Sequence, residues 1–289
     1  MVSADWVDYE LLDSGNGQKL ERFNEFILIR PEKTAAWQPR LSTTAWMRKA
    51  DATYHLGMGD QPGRWEFHRR IPLEWEMRYK NLCFQIQLSL SRHIGVFPEQ
   101  AAYWDWIAEQ VIQSGRMLQV LNLFGYTGLA TLAAAAAGAQ VVHVDASSRA
   151  VRWAKLNQEL SGLQASPIRW LVDDALQFVE REIRRGRLYD GLILDPPKYG
   201  HGPDQKVWQF DRFFSVLLEK CRRLLSPQPQ FVAITVYAVP VTPLHLFQQL
   251  AEMMNSWKGV IGAGDIVLME KDRNQCIKTA GFARWQASN

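Results

Sequence analysis

From about residue 117 onward, short apolar runs alternate with stretches of helical periodicity. Val120 to Leu123, Val141 to Val144, Ile168 to Val172, Asp190 to Leu194 and Gln230 to Tyr237 read as strands. Helices are expected between them: Leu129 to Gly138, a segment capped by Ser147 or Ser148 and running to Leu160 before Gly162, Ala175 to about Arg185, Val207 to Leu225, and Thr242 to Trp257. Asp265 to Glu270 and Ala280 to Trp285 read as a terminal hairpin. This alternation implies an α/β fold, a parallel sheet with helices on both faces, and the hairpin brings the strands read to seven. Residues 1 to about 80 have a different texture. Asp13 to Gln18 and Gly57 to Gly63 are turn clusters. Phe26 to Arg30 is a strand stopped by Pro31, and Trp65-Glu66-Phe67 alternates into another. The expected organisation is a small β module at 1–80 and an α/β domain at 81–289. No linker-like composition separates them, so the two are expected to pack together.

The 289 residues suit one large domain with a small companion, and 47% hydrophobic content is enough for a substantial core. The 33 Lys and Arg against 30 Asp and Glu leave +3, which by itself does not call for a nucleic-acid partner. Residues 1–99 carry 13 basic and 13 acidic side chains, so 13 − 13 leaves no net charge there. Cys83, Cys221 and Cys276 are too far apart for a metal motif or a disulfide framework, which fits a reducing cytoplasm. No leader-like segment opens the chain, and no apolar run is long enough to span a bilayer. No metal site is expected.

The chemistry concentrates behind the first α/β strand. Asn122-Leu123-Phe124-Gly125-Tyr126-Thr127-Gly128 is a turn with two glycines, an alanine-rich helix follows, and the next strand ends on Asp145. Glycines permit a tight turn and close approach. A helix start presents unpaired N–H groups and a positive dipole end. An acid closing the next strand can accept both hydroxyls of a ribose, although an aspartate there also suits a turn or cap. Strand, glycine turn, helix, strand and acid make the half-unit of a Rossmann-like nucleotide-binding fold. The spacing is not G-x-G-x-x-G, so a nicotinamide dinucleotide is disfavoured.

The Phe124-Gly125-Tyr126-Thr127-Gly128 loop resembles the first motif of class I S-adenosylmethionine-dependent methyltransferases, in the branch containing bacterial ribosomal-RNA methyltransferases. Asn122 stands at the place of that family's acid. The resemblance covers about residues 95 to 289. It implies S-adenosylmethionine as cofactor, with contacts at Asn122, Phe124, Gly125, Tyr126, Thr127, Gly128, Asp145 and Ala146, and at Asp173, Asp174 and Ala175. Asp174 matches that family's aspartate for the adenine amine, yet Asp173 and Asp174 both sit where a helix N-cap belongs, so the pair is expected to supply one cap and one ligand. Phe97 and Gln100 are implied as a segment over the cofactor; Gly95 to Gln100 reads equally well as a loop entering a helix at Pro98.

Asp195-Pro196-Pro197-Lys198-Tyr199 ends the fourth strand. It is similar to the acid-or-Asn-Pro-Pro-aromatic motif of nucleic-acid amino-methyltransferases. That likeness implies acceptor roles for Asp195 and Pro196, and base stacking for Tyr199. Lys198 between the prolines and the aromatic is similar to ribosomal-RNA cytosine-C5 methyltransferases. Those enzymes need a thiolate, and the stretch after the fifth strand, Thr235-Val236-Tyr237-Ala238-Val239-Pro240, has no cysteine. The expected activity is therefore methyl transfer to RNA, ribosomal RNA first, without the C5 mechanism carried over. A small molecule or protein side chain is the alternative substrate, and a cofactor-binding protein without catalysis the more distant one.

Overall fold

The computed structural model describes residues 6–57, 62–202 and 207–288. The chain forms two compact units, residues 1–102 with 267–279, and residues 103–266 with 280–289.

In the first unit, β1 (Tyr9–Gly15), β2 (Gln18–Phe23), β3 (Phe26–Pro31), α1 (Thr43–Lys49), β4 (Ala52–His55) and β5 (Arg64–Phe67) build a five-stranded sheet in the order β1-β2-β3-β4-β5. Asn16 and Gly17, at φ 51° and 74°, make the two-residue turn that matches strand twist between β1 and β2. Asp13 was expected in that turn. Instead it lies in β1 with its carboxylate wholly buried, accepting from Arg40 N at 3.0 Å, Leu41 N at 2.8 Å and Trp46 Nε1 at 2.8 Å. These bonds fix the connection that makes the pairing of β3 with β4 parallel, which needs a crossover rather than a tight turn. Trp46 of that crossover packs on Leu20 and Ile29. Residues 58–61 of the second turn cluster lie outside the described residues. The pair β6 (Glu74–Tyr79) and β7 (Leu82–Gln87) forms a separate hairpin, so residues 80/81 fall in its turn while the compact unit runs on to Ala102.

The second unit carries most of α2 (Ala101–Gln113), then β8 (Gln119–Leu123), α3 (Leu129–Ala136), β9 (Gln140–Asp145), α4 (Ser148–Leu160), β10 (Ile168–Val172), α5 (Ala175–Arg184) and β11 (Gly191–Leu194). β12 (Tyr199–His201), β13 (Val207–Gln209), α6 (Phe210–Arg222), β14 (Phe231–Val236), α7 (Pro243–Met254), β15 (Gly259–Met269) and β16 (Cys276–Ala287) follow. The main sheet has seven strands in the order β10-β9-β8-β11-β14-β16-β15, with β16 antiparallel to β14. Its central parallel strands are apolar because both faces are covered: β11 and β14 are buried along their whole length. Ser147 and Thr242 cap α4 and α7 through their side chains, as polar residues ahead of an apolar period should.

Two expected elements differ. Val207 does not begin a helix. Val207-Trp208-Gln209 pairs with Tyr199-Gly200-His201, and Phe210 starts α6. The alternation that buries Trp208 and exposes its neighbours is a strand period too short to stand out beside the helix. The terminal hairpin is also longer than expected, because β15 holds three glycines that argue against a strand. Gly259 is required there: a Cβ would stand 2.3 Å from the Trp285 ring of β16.

Candidate active site

The carboxyl ends of β10, β9, β8, β11 and β14 share one rim. After β8 the chain moves outward through β9 and β10, then returns to β11 on the other side of β8. The crevice of an open α/β sheet lies at such a reversal. Leu123 is in register with both Val144 and Leu194, so Phe124, Asp145 and Asp195 leave the rim side by side.

The loop from Phe124 to Gly128 is held from below. Phe124 and Tyr126 take left-handed backbone angles, φ 60° and 49°, although neither is glycine. Such residues mark strain of about 1–3 kcal/mol each, which the surroundings must impose. Gly125 serves close packing: a Cβ there would stand 2.3 Å from His143 Cε1. Gly128, at φ 86°, is the N-cap of α3 and brings no side-chain cap, so the first N–H groups of that helix meet no capping side chain.

Asn122 is 1% exposed and turned into the protein. Its Nδ2 donates to Thr131 Oγ1 at 2.8 Å, and that hydroxyl shares a 2.9 Å hydrogen bond with His143 Nδ1. This chain ties β8, α3 and β9 together under the loop. Burial pushes the His143 pKa from the usual 6.5 down to about 3. The unfolded chain then binds a proton below pH 6.5 that the folded imidazole refuses. The associated stability is complete above 6.5 and declines as pH falls toward 3, by ~2 kcal/mol at about pH 5. Urea unfolding at neutral and mildly acidic pH should show the parent losing that much more than His143→Gln; equal losses would remove His143 as the cause.

Asp145 fastens the loop. Its Oδ2 accepts from Tyr126 N and its Oδ1 from Ser147 N, each at 2.8 Å. Burial raises its pKa, and these two hydrogen bonds pull the other way. A carboxylate has about four acceptor positions, so two backbone bonds leave it able to accept more. Ala146 follows, half-buried. Of the neighbouring pair, Asp174 is the cap of α5, accepting from Gln177 N at 3.0 Å, while Asp173 is ion-paired with Arg181 in the last turn of that helix. The Ala175 side chain is packed in the core.

The Asp195 turn adjoins this loop. Asp195 N donates to Leu123 O at 3.4 Å, and Asp195 Oδ1 accepts from Thr235 Oγ1 at 2.6 Å. Pro196 is buried; Lys198 and Tyr199 are exposed. Trp208 Nε1 donates to Pro197 O at 2.7 Å, and Phe210 N to Lys198 O at 3.0 Å. The Trp208 ring also lies 4.9 Å from that of Phe124. Trp208 thus braces both the glycine loop and the proline turn. Neither Trp208 nor Thr235 was expected from sequence. The available signal was a single hydroxyl in an otherwise apolar strand, Phe231-Val232-Ala233-Ile234-Thr235-Val236.

Phe97 and Gln100 belong to the first unit. There Pro98 opens a single 3-10 turn, the Phe97 ring lies 5.2 Å from His93, and Gln100 is buried. Of the three thiols, Cys221 alone belongs to the second unit. Cys221 is wholly buried in α6 with its pKa pushed up to about 12 by burial. Cys83 is buried in β7, where burial and the Glu76 carboxylate both raise its pKa. Cys276 begins β16, in the segment grouped with the first unit. A cleft of about 650 Å³, lined by Gln119, Gln140, Arg169, Glu182 and Tyr189 among others, opens where β8, β9 and β10 begin. It is at the opposite edge from the glycine loop. Among the described residues no group of three or more His, Cys, Asp or Glu could hold a metal ion, and no helix is long and apolar enough to cross a membrane.

Fold and rim together define a Rossmann-like methyltransferase. The family described as S-adenosylmethionine-dependent methyltransferase matches residues 10–260, and the chain belongs to it. The chain is 40% identical to the S-adenosylmethionine-dependent methyltransferase of Agrobacterium tumefaciens, whose crystal structure superposes with a TM-score of 0.94 over the whole of this chain and 93% of that one. It is 34% identical over 146 residues to the ribosomal RNA large subunit methyltransferase K/L of Hahella chejuensis, covering 50% of this chain and 19% of that protein. It is 39% identical over 90 residues to the ribosomal RNA large subunit methyltransferase I of Photobacterium profundum, covering 31% and 23%. The chain therefore spans about a fifth of the length of these curated relatives.

Proposed function

We propose that this methyltransferase acts on RNA, ribosomal RNA first, and that its acceptor is a base nitrogen. The observation that carries this reading is the Asp195-Pro196-Pro197 turn braced beside the glycine loop, in a unit whose one thiol, Cys221, is buried in α6. Attack through cytosine C5 needs a thiolate nucleophile; an amine acceptor needs only proton acceptors and alignment. The curated relatives support RNA through their names. In this reading the protein works in the cytoplasm.

The residues at the rim fit the cofactor. Asp145 offers a partly buried carboxylate to ribose hydroxyls, and the backbone of Phe124 to Gly128 with the uncapped start of α3 offers N–H donors to a charged tail. Asp173, beside the capping Asp174, is the acceptor for adenine. S-adenosylmethionine, when bound, supplies an electrophilic methyl on a cationic sulfur. The chain supplies alignment: Asp195 and the Pro196 carbonyl accept the protons of the amine, Tyr199, 54% exposed, stacks on the base, and Lys198 adds a positive charge beside it.

A small-molecule or protein acceptor is the second reading. The charge of the first unit favours it: Lys19 and Arg30 are buried there in ion pairs with Glu21 and are not offered to a phosphate.

The cysteines separate the mechanisms. Cys83→Ser and Cys276→Ser are expected to keep turnover within ~2-fold. Cys221→Ser should lose ~1–3 kcal/mol of stability, from a hydroxyl buried among apolar side chains, yet keep turnover per folded molecule. RNA carrying 5-fluorocytosine should form no covalent complex with the parent. A trapped complex, together with one folded serine variant that has lost activity, would restore the C5 mechanism.

A further inference from the structure

We infer that Thr235 is a positioning residue for methyl transfer, acting by holding the Asp195 carboxylate in one orientation at the rim. The inference rests on the reading of Asp195 above. All six residues of β14 are buried, and five are apolar. A hydroxyl is out of place in such a strand unless it has a partner, and valine, with the same branched shape, suits a buried strand better. The folding of β14 therefore does not ask for threonine. The partner is Asp195 Oδ1, at 2.6 Å. The register explains the meeting: Leu194 pairs with Ile234, so Asp195 and Thr235 are the next residues on neighbouring strands.

The support under Thr235 is rigid. Tyr103, 2% exposed, donates its hydroxyl to Ile234 O at 3.2 Å and to Ala283 O at 3.1 Å, which pins β14 to β16 one residue before Thr235. Trp208 holds the turn from its other end, at Pro197 O. With the backbone fixed on both sides, the direction of the carboxylate is set by the rotation of the Asp195 side chain. The Thr235 hydroxyl holds Oδ1 in one direction. A carboxylate that must meet an acceptor amine in line with a methyl group gains from such restraint, because a displacement of about 1 Å can lower a rate ~100-fold.

The test uses the full chain, methyl-labelled S-adenosylmethionine and whichever cellular fraction the parent labels, RNA or otherwise. Thr235→Val is expected to lower kcat ~10–100-fold, with KM for the acceptor and cofactor affinity each within ~3-fold. Thr235→Ser, which keeps the hydroxyl, should restore kcat to within ~3-fold of the parent. The double variant Asp195→Ala/Thr235→Val should be no slower than Asp195→Ala alone, since Thr235 acts through Asp195. Thr235→Ala serves in place of the valine variant if that does not fold. Parental kcat in the folded valine or alanine variant overturns the inference. So does a serine variant as slow as valine, or an effect that persists in full when Asp195 is absent. If Asp195→Ala itself turns over normally, the reading of Asp195 fails; an inactive Asp195→Ala beside a normal Thr235→Val sinks only the role of Thr235.

Discussion

Asp195→Ala is expected to lower methyl transfer ~10³-fold or more while the dissociation constant for S-adenosylmethionine stays within ~3-fold. Asp195 follows the buried strand β11 and is tied to its neighbours on both sides, to Leu123 O through its amide and to Thr235 through its carboxylate. In the proposed function this carboxylate, held at the end of a strand, accepts from the substrate. Removing it withdraws a proton acceptor and an aligning contact, effects worth ~10²–10⁴-fold in rate. The loss should fall on kcat and on kcat/KM alike, the mark of an interaction made in the transition state. Calorimetric titration of the cofactor beside a filter assay of methyl transfer separates the two quantities. Normal transfer by a folded Asp195→Ala would reduce the turn to a structural end for β11.

Asp145→Ala should act on the other side of the reaction. On the proposed reading the variant loses a charge-assisted acceptor for ribose hydroxyls, and it also releases Tyr126 N and Ser147 N, which organise the loop. Cofactor affinity is expected to fall by ~2–3 kcal/mol, or ~30–150-fold, with turnover at saturating cofactor far less affected. The strained angles at Phe124 and Tyr126 make the loop dependent on such anchors, so proteolysis within residues 124–128 should become easier in the same variant. Unchanged affinity in a folded variant would remove Asp145 from the cofactor site.

The parallel part of the sheet was legible because its central strands are buried on both faces and read as short apolar runs, and several of its helices begin with capping residues. Ser147, Thr242 and the Asp173-Asp174 pair all announced helix starts, although only the structure tells that Asp174 is the cap and Asp173 the partner of Arg181. The glycine loop was legible as a turn, but the reason for Gly125 was not: it makes room for His143, a residue from the next strand. Asn122 held the place of an acid in the motif, and its side chain turned out to face Thr131. Side-chain direction at a strand end depends on what packs above it, which a local pattern does not encode. Thr235 and Trp208 escaped for a related reason. Each matters through a partner ~11–40 residues away in sequence, and such pairings exist only once the strands are in register. The first module looked neutral in charge. Some of its charges are taken up in buried groups around Asp13 and Glu21, and no local signal distinguishes a buried Arg30 from a solvated one.

The most direct measurement is nucleoside mass spectrometry of ribosomal RNA from cells with and without the protein, followed by in vitro methylation of the unmodified RNA with labelled S-adenosylmethionine. One N-methylated base should vanish when the protein is absent, be restored by the purified parent, and not be restored by Asp195→Ala. Identical nucleoside profiles, with label passing from the parent to a metabolite or protein fraction instead, would contradict an RNA substrate.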